Sequence, residues 1–237
     1  MGTDQRSSFI LGAFICSGLA LMGYLIGSSA IKFREYERVV SVKGLSEREI
    51  PADVAVWPVN FTAANNDLTA LYSSMENNSK QVVEFLTEAG FSSAEITISA
   101  PVITDKLAQQ YGGGENAHLR YISSQTITVY SNQIDLVRAT QNNLAKLGKK
   151  GIALGGYEYV KTEYLFTKLN EIKPAMIEEA TRKAREVAEK FAKDSHSQLG
   201  KIKSANQGQF SVEDRDTNTP YIKRVRIVST IDYYLSD

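Results

Sequence analysis

The chain has 237 residues, enough for one large domain or two small ones with a real core. Lys plus Arg and Asp plus Glu each number 27, so formal charge is zero, which excludes the basic balance of a nucleic-acid binder and an acidic tail alike. The apolar share of 43% and charged share of 23% argue against disorder, and a single cysteine, Cys16, rules out a disulfide within the chain. With only His118 and His196 beside it, a His/Cys zinc site or a Cys/His nucleophile pair is not expected.

Ser7 to Ile31 holds no charge, and its apolar part, Phe9 to Ile31, is long enough to cross a hydrocarbon core as a helix of roughly 35 Å. Two readings of residues 1–31 compete: an uncleaved membrane anchor, or a signal peptide cut after Ser28 and Ala30. The stretch exceeds the usual apolar length of a signal peptide, which favours a transmembrane helix. Ile15 is too large to precede a lipidated cysteine, so Cys16 reads as an ordinary anchor residue. Gly23 and Gly27 form a weak small-xxx-small pair. Lys32, Arg34 and Arg38 follow, and by the positive-inside count they would place residues 32–237 in the cytoplasm.

Val39 to Val42 reads as a short strand, with a break at Pro51. Ala52 to Ala63 is a strand apolar on both faces, through Val54, Val56, Pro58 and through Ala55, Trp57, Val59, Phe61. Asp67 is the expected N-cap of a helix to Ala89, with an apolar stripe of Leu68, Leu71, Met75, Val82 and Leu86 widened by Tyr72 and Val83, and with Gly90 as its stop. Ala94–Thr104 and Leu119–Tyr130 read as strands around a polar loop with Gly112-Gly113-Gly114. A helix follows over Gln133–Leu147, then a strand over Ile152–Phe166 interrupted at Gly155-Gly156.

Pro174 near the start of the next helix fits its first turn. That helix runs to about Leu199, with Met176, Ala180, Ala184, Val187 and Phe191 as the apolar stripe. Glu178/Arg182, Glu179/Lys183, Glu186/Lys190 and Glu189/Lys193 make (i, i+4) pairs on its outer side. Strands over Lys201–Val212 and Tyr221–Leu235 finish the chain. The order strand, helix, strand, strand thus occurs over Ala52–Tyr130 and again over Gly156–Leu235. This predicts an α+β fold of two related halves, each an antiparallel sheet with a helix on one face, preceded by the N-terminal transmembrane helix.

Motifs for chemistry are few. Gly112-Gly113-Gly114 lacks the Lys-Ser/Thr of a phosphate loop and precedes no helix. His118 and His196 read as surface residues, and Trp57 as core. Glu47, Glu49 and Asp53 are the candidate carboxylate cluster, with Glu47 and Glu49 on one side of an extended chain, but no pocket is evident to separate their pKa values. Lys223-Arg224-Arg226 has Asp214, Asp216 and Asp232 near it, which weakens a nucleic-acid reading. No catalytic, cofactor or metal residue is assigned.

The run SVKGLSEREIPADVAVWPVNF, Ser41 to Phe61, resembles the opening signature of the SIMPL-domain family of bacterial envelope proteins. SANQGQFSV, Ser204 to Val212, and KRVRIVSTIDYYL, Lys223 to Leu235, are similar to later segments of that family. The resemblance implies an exported α+β domain over 32–237 that lies outside the cytoplasmic membrane, against the local charge count. It also implies oligomers in some members, a link to oxidative and envelope stress, and no catalytic residue to carry over. The expected function is a non-enzymatic, membrane-anchored envelope protein facing the periplasm, a homo-oligomer or a binder of a protein partner, without cofactor or nucleic acid. A small-molecule or lipid-binding module is the alternative, marked by an enclosed apolar cavity. A carboxylate hydrolase, the third reading, needs a polar pocket joining Glu47 or Asp53 to a second acid.

Overall fold

The computed structural model describes residues 3–35, 38–108, 118–155 and 161–236, with side chains for all of these except 3–11, 13 and 30–35. The Gly112-Gly113-Gly114 loop and Gly156 lie outside the described residues, as do the side chains of Arg6, Lys32 and Arg34. Helix α1 (Thr3–Glu35) covers the apolar N-terminal segment. Among the described residues no helix is long and apolar enough to cross a membrane. Both ends of the expected span Phe9–Ile31 fall outside the described side chains.

The chain divides into two compact units, and the divisions fall inside β1 (Val39–Pro51), the helix Leu169–Asp194, the strand Ser211–Asp214 and β10 (Ile222–Ser236). The unit of residues 48–172 and 212–225 is built around β2 (Val54–Asn65). β2 pairs antiparallel with β5 (Tyr121–Ser131) in unbroken register from Ala55↔Ser131 to Asn65↔Tyr121. β3 (Ile96–Ile98) and β4 (Val102–Asp105) extend the sheet beyond β5, while β6 (Ala153–Leu154) and β7 (Glu163–Leu165) pair with β2. Period-2 alternation puts Ala55, Trp57, Val59 and Phe61 on the buried face, where α2 (Leu68–Ala89) packs through Leu71, Met75, Val82, Phe85 and Leu86. Burying a side chain of the size of Phe61 is worth about 1.5–3 kcal/mol.

Both ends of α2 form as expected. The Asp67 carboxylate accepts from the Ala70 N–H at 2.7 Å, and Gly90, at φ 110°, takes the left-handed turn that a side chain disfavours. Leu68 and Tyr72, expected in the stripe, are exposed, and Phe85 takes the buried place. The single helix expected over Gln133–Leu147 is two, α3 (Ile134–Gln141) and α4 (Ala145–Lys149), with Val137 and Leu147 in the core. The opposite face of β2 carries the expected Val54, Val56 and Pro58, with Val54 buried, and continues with Asn60 and Thr62. From Asn60 onward, beside Thr126 and Ser124 of β5, it is a polar ladder.

The unit of residues 1–47, 173–211 and 226–237 is a sheet in the order β1-β10-β8, with β8 (Gln198–Gln207) antiparallel to β10. β9 (Ser211–Asp214) also pairs with β10. Helix α5 (Leu169–Asp194) starts earlier than expected and holds Pro174 in its interior. Its buried stripe is Met176, Ala180, Ala184, Ala188 and Ala192, packed with Val42, Ile231 and Tyr233. The expected members Val187 and Phe191 sit beside this stripe, and Phe191 is 56% exposed.

The alanines let the helix backbone reach the sheet. A Cβ built on Gly44 of β1 would stand 1.8 Å from the Ala180 carbonyl oxygen and 2.6 Å from the Ala184 nitrogen. Ser46, two residues on and fully buried, donates its hydroxyl to Glu179 at 2.9 Å, and Glu179 accepts from Lys183 at 2.7 Å. Position 44 therefore admits glycine alone, for lack of space.

The second half expected over Gly156–Leu235 does not form as a continuous stretch, although each unit holds a sheet and a long helix. β2, α2, β3 and β5 make a sheet in which β5 lies between β3 and β2. β1, α5, β8 and β10 make one in which β10 lies between β8 and β1. The opening strand of the second half is β1, not the segment Ile152–Phe166, whose strands β6 and β7 hydrogen-bond to β2. Replacing Gly44 by Ala is expected to lower unfolding stability in urea by about 3 kcal/mol or more, because backbone atoms must move. Gly148→Ala, in α4 with open space at the Cβ, is expected to gain up to about 1 kcal/mol.

Candidate functional site

The charged residues singled out by the sequence are spent on structural bonds. Asp53, just before β2, accepts from the Thr167 N–H and hydroxyl, both at 2.8 Å, and so ties the end of β7 to the start of β2. Glu49 reaches Arg215 at 3.5 Å, and Glu47 reaches Arg226 at 4.0 Å. Each of the three carboxylates thus has its own partner, and no acid/base pair forms among them. No group of three or more His, Cys, Asp or Glu that could hold a metal ion occurs among the described residues.

Lys223 is buried and forms a close ion pair with Asp214 across the β9–β10 hairpin. Arg224 donates to the Arg215 carbonyl at 3.3 Å. Asp216 organises the turn, accepting from the Asn218 and Thr219 N–H groups at 2.9 and 2.8 Å and from the Thr219 hydroxyl. The Thr219 hydroxyl first and the Arg215 guanidinium second hold its carboxyl well below the usual range. The basic cluster of the last strand is therefore divided among two carboxylates, Asp214 and Glu47, and the Arg215 carbonyl.

His118 is exposed, and its carbonyl accepts from Asn66 at 3.4 Å. His196 lies just past α5 at φ 55°, exposed in the turn to β8. Trp57 is core, tilted on Phe91 with ring centroids 6.4 Å apart. Cys16 is a free, exposed thiol on α1. A Cβ at Gly23 or Gly27 would meet nothing within 4 Å among the described residues.

An aromatic-polar cluster was not singled out in the sequence. The Arg138 guanidinium stacks 3.8 Å from the Tyr221 ring centre, and Tyr221 meets Tyr164 edge-on at 6.1 Å. Gln141 donates to Thr162 at 2.7 Å, and burial pushes the Tyr164 hydroxyl pKa up. These residues are dispersed over 138–221, so no local motif marks them. The cluster brings no nucleophile against a base, and its work is to join α3, β7 and the start of β10.

Chemistry-bearing side chains are thus distributed as clamps, while large exposed surfaces remain. β8 is hydrogen-bonded to β10 on one side, has no strand on the other among the described residues, and is exposed at nine of its ten positions. On α1, Phe14, Ile15, Leu19, Leu21, Met22, Tyr24, Leu25 and Ile26 are 55–74% exposed.

The family model SIMPL, described as a protein of unknown function (DUF541), matches residues 40–226, most of the chain. No curated protein matches its sequence.

Acid sensitivity follows from the clamps. The Ser131 hydroxyl first, and then the Ser92 N–H, lower the Glu95 pKa, as Arg120 does for Asp105 and the Ser204 hydroxyl for Asp232. A carboxylate with a depressed folded pKa stabilises above its unfolded value, about 4, and that contribution is lost as pH falls through the lower folded value. Urea midpoints are expected to be level from pH 8 to 5 and to fall below about pH 4. Glu95→Gln should show a shallower fall over that acid range.

Proposed function

The chain belongs to the SIMPL family, and on that footing we propose that it is a non-enzymatic cell-envelope protein. In this reading α1 anchors it in the cytoplasmic membrane with the α+β domain outside, and it acts by self-association or by binding a protein partner. The observation that carries the reading is the helix α1, on which eight large apolar side chains stand more than half exposed. Leaving that surface in water costs about 25 cal/mol per Å², a cost that a bilayer removes. The link to oxidative and envelope stress belongs to the same reading through the family resemblance. The separation of Glu47, Glu49 and Asp53 onto different partners takes support from a carboxylate hydrolase.

The anchor is checked by cell fractionation. The full chain is expected to stay with membranes through salt and carbonate washing, and protease added to spheroplasts should reach the domain. A mature N-terminus at Ile31 overturns the anchor, and a domain protected until lysis overturns its placement outside.

Self-association has its support in β8, a long strand with one open edge and with Ile202 half exposed. The polar ladder on β2 and β5 gives less drive than an apolar face would. The full chain in detergent is expected to show a mass of several subunits by light scattering. Ile202→Lys should lower that mass with a stability change within about 0.5 kcal/mol, as for other surface substitutions. One subunit's mass at every concentration would favour the small-molecule or lipid-binding alternative.

A further inference from the structure

We propose that one end of the unit carrying α5 is a lipid-headgroup surface, where Phe191 and the exposed lysines of that end contact anionic phospholipid; this rests on the anchored reading and adds a second contact to it. The end is defined by register. The Leu235 N–H donates to the Arg38 carbonyl at 2.9 Å, Leu235 pairs with Leu199, and Ser236 pairs with Gln198. The start of β1, the end of β10 and the start of β8 therefore lie together. α5 ends at Asp194, and residues 195–197 carry the chain into β8, so the last turn of α5 is at the same end. Only residues 36–38 separate α1 from β1. Three residues span at most about 11 Å, so a bilayer holding α1 lies within reach of this end.

The charge there is complementary to an anionic surface. Lys190 and Lys193 were expected to pair with Glu186 and Glu189. Those acids instead hold Arg182 at 3.9 Å and Arg185 at 3.0 Å. Lys190, Lys193 and Lys201 are exposed and have no carboxylate partner among the described residues. Asp194 is the acid in the same turn. Phe191 lies in the last turn of the same helix, 56% exposed, beside a buried stripe that ends in the small residues Ala188 and Ala192. Basic side chains and an exposed aromatic fit the boundary between headgroups and acyl chains, where charge and ring are both satisfied. The short tether to α1 is what selects a lipid surface over a soluble acidic partner.

The test uses the full chain carrying Cys16→Ser and Phe191→Cys, labelled with bimane, whose ring takes the place of the phenyl group. It is reconstituted with vesicles of phosphatidylcholine, alone or mixed with phosphatidylglycerol. Emission is expected to shift to the blue only with phosphatidylglycerol, and the shift should vanish in high salt and in the Lys190→Glu, Lys193→Glu, Lys201→Glu variant. A label at Asn206→Cys on β8, which pairs with Thr230 toward the other end of the same sheet, should not respond. Equal emission in both vesicles, or an equal shift at position 206, overturns the proposal. Carbonate washing of the same vesicles reads the anchor separately. Release of the chain by carbonate refutes the anchor, while the label still reports whether the lysine end engages anionic lipid.

Discussion

The contact between Gly44 and the backbone of α5 sets the terms for the unit that contains it. With a Cβ position 1.8 Å from the Ala180 carbonyl oxygen, strand and helix touch through main-chain atoms. Such an approach is possible only because Ala180, Ala184, Ala188 and Ala192 recur along α5 with no larger group on that line. Close packing of this kind gains dispersion contacts but tolerates no added volume. It also places Ser46 beneath the helix, where its buried hydroxyl requires a partner and finds one in Glu179. The run SVKGLS, which carries the family resemblance, is thus accounted for by packing.

The other unit reaches stability by a different route. Its core is made of large side chains, Trp57, Phe61, Met75, Leu86 and Phe91, between α2 and a sheet in continuous register. Polar groups at its margins close the ends of elements: Asp53 holds Thr167, Asp105 holds Arg120, and Glu95 joins a short turn to Ser131 of β5. Carboxylates engaged in this way fasten one element to the next, and Glu95 does so through both Ser92 and Ser131.

The apolar stripe of α5 shows how one shift in side-chain assignment alters the functional reading. With Phe191 counted as core, the helix end carries only solvated ion pairs. With Ala188 and Ala192 buried instead, Phe191 stands outside, and the acids that would have neutralised Lys190 and Lys193 are engaged one turn earlier. A basic, aromatic end close to the start of β1 is the consequence.

Local chemistry alone determined much of the fold. The cap at Asp67, the stop at Gly90, the periodicity of α2 and the strands on either side of it are set by interactions within a few residues, so they are legible in order along the chain. The apolar length of residues 9–31 is equally a property of composition. Pairing between distant segments was not legible. β1 completes the sheet of β8 and β10 although it precedes every other strand, while β6 and β7 join β2. Nothing local distinguishes those choices, since a strand's hydrogen-bonding groups fit any edge. Only the tertiary structure decided them, and with them the need for glycine at position 44. It also decided which side of α5 is covered, because a helix of many alanines admits more than one apolar stripe until a particular sheet closes over it.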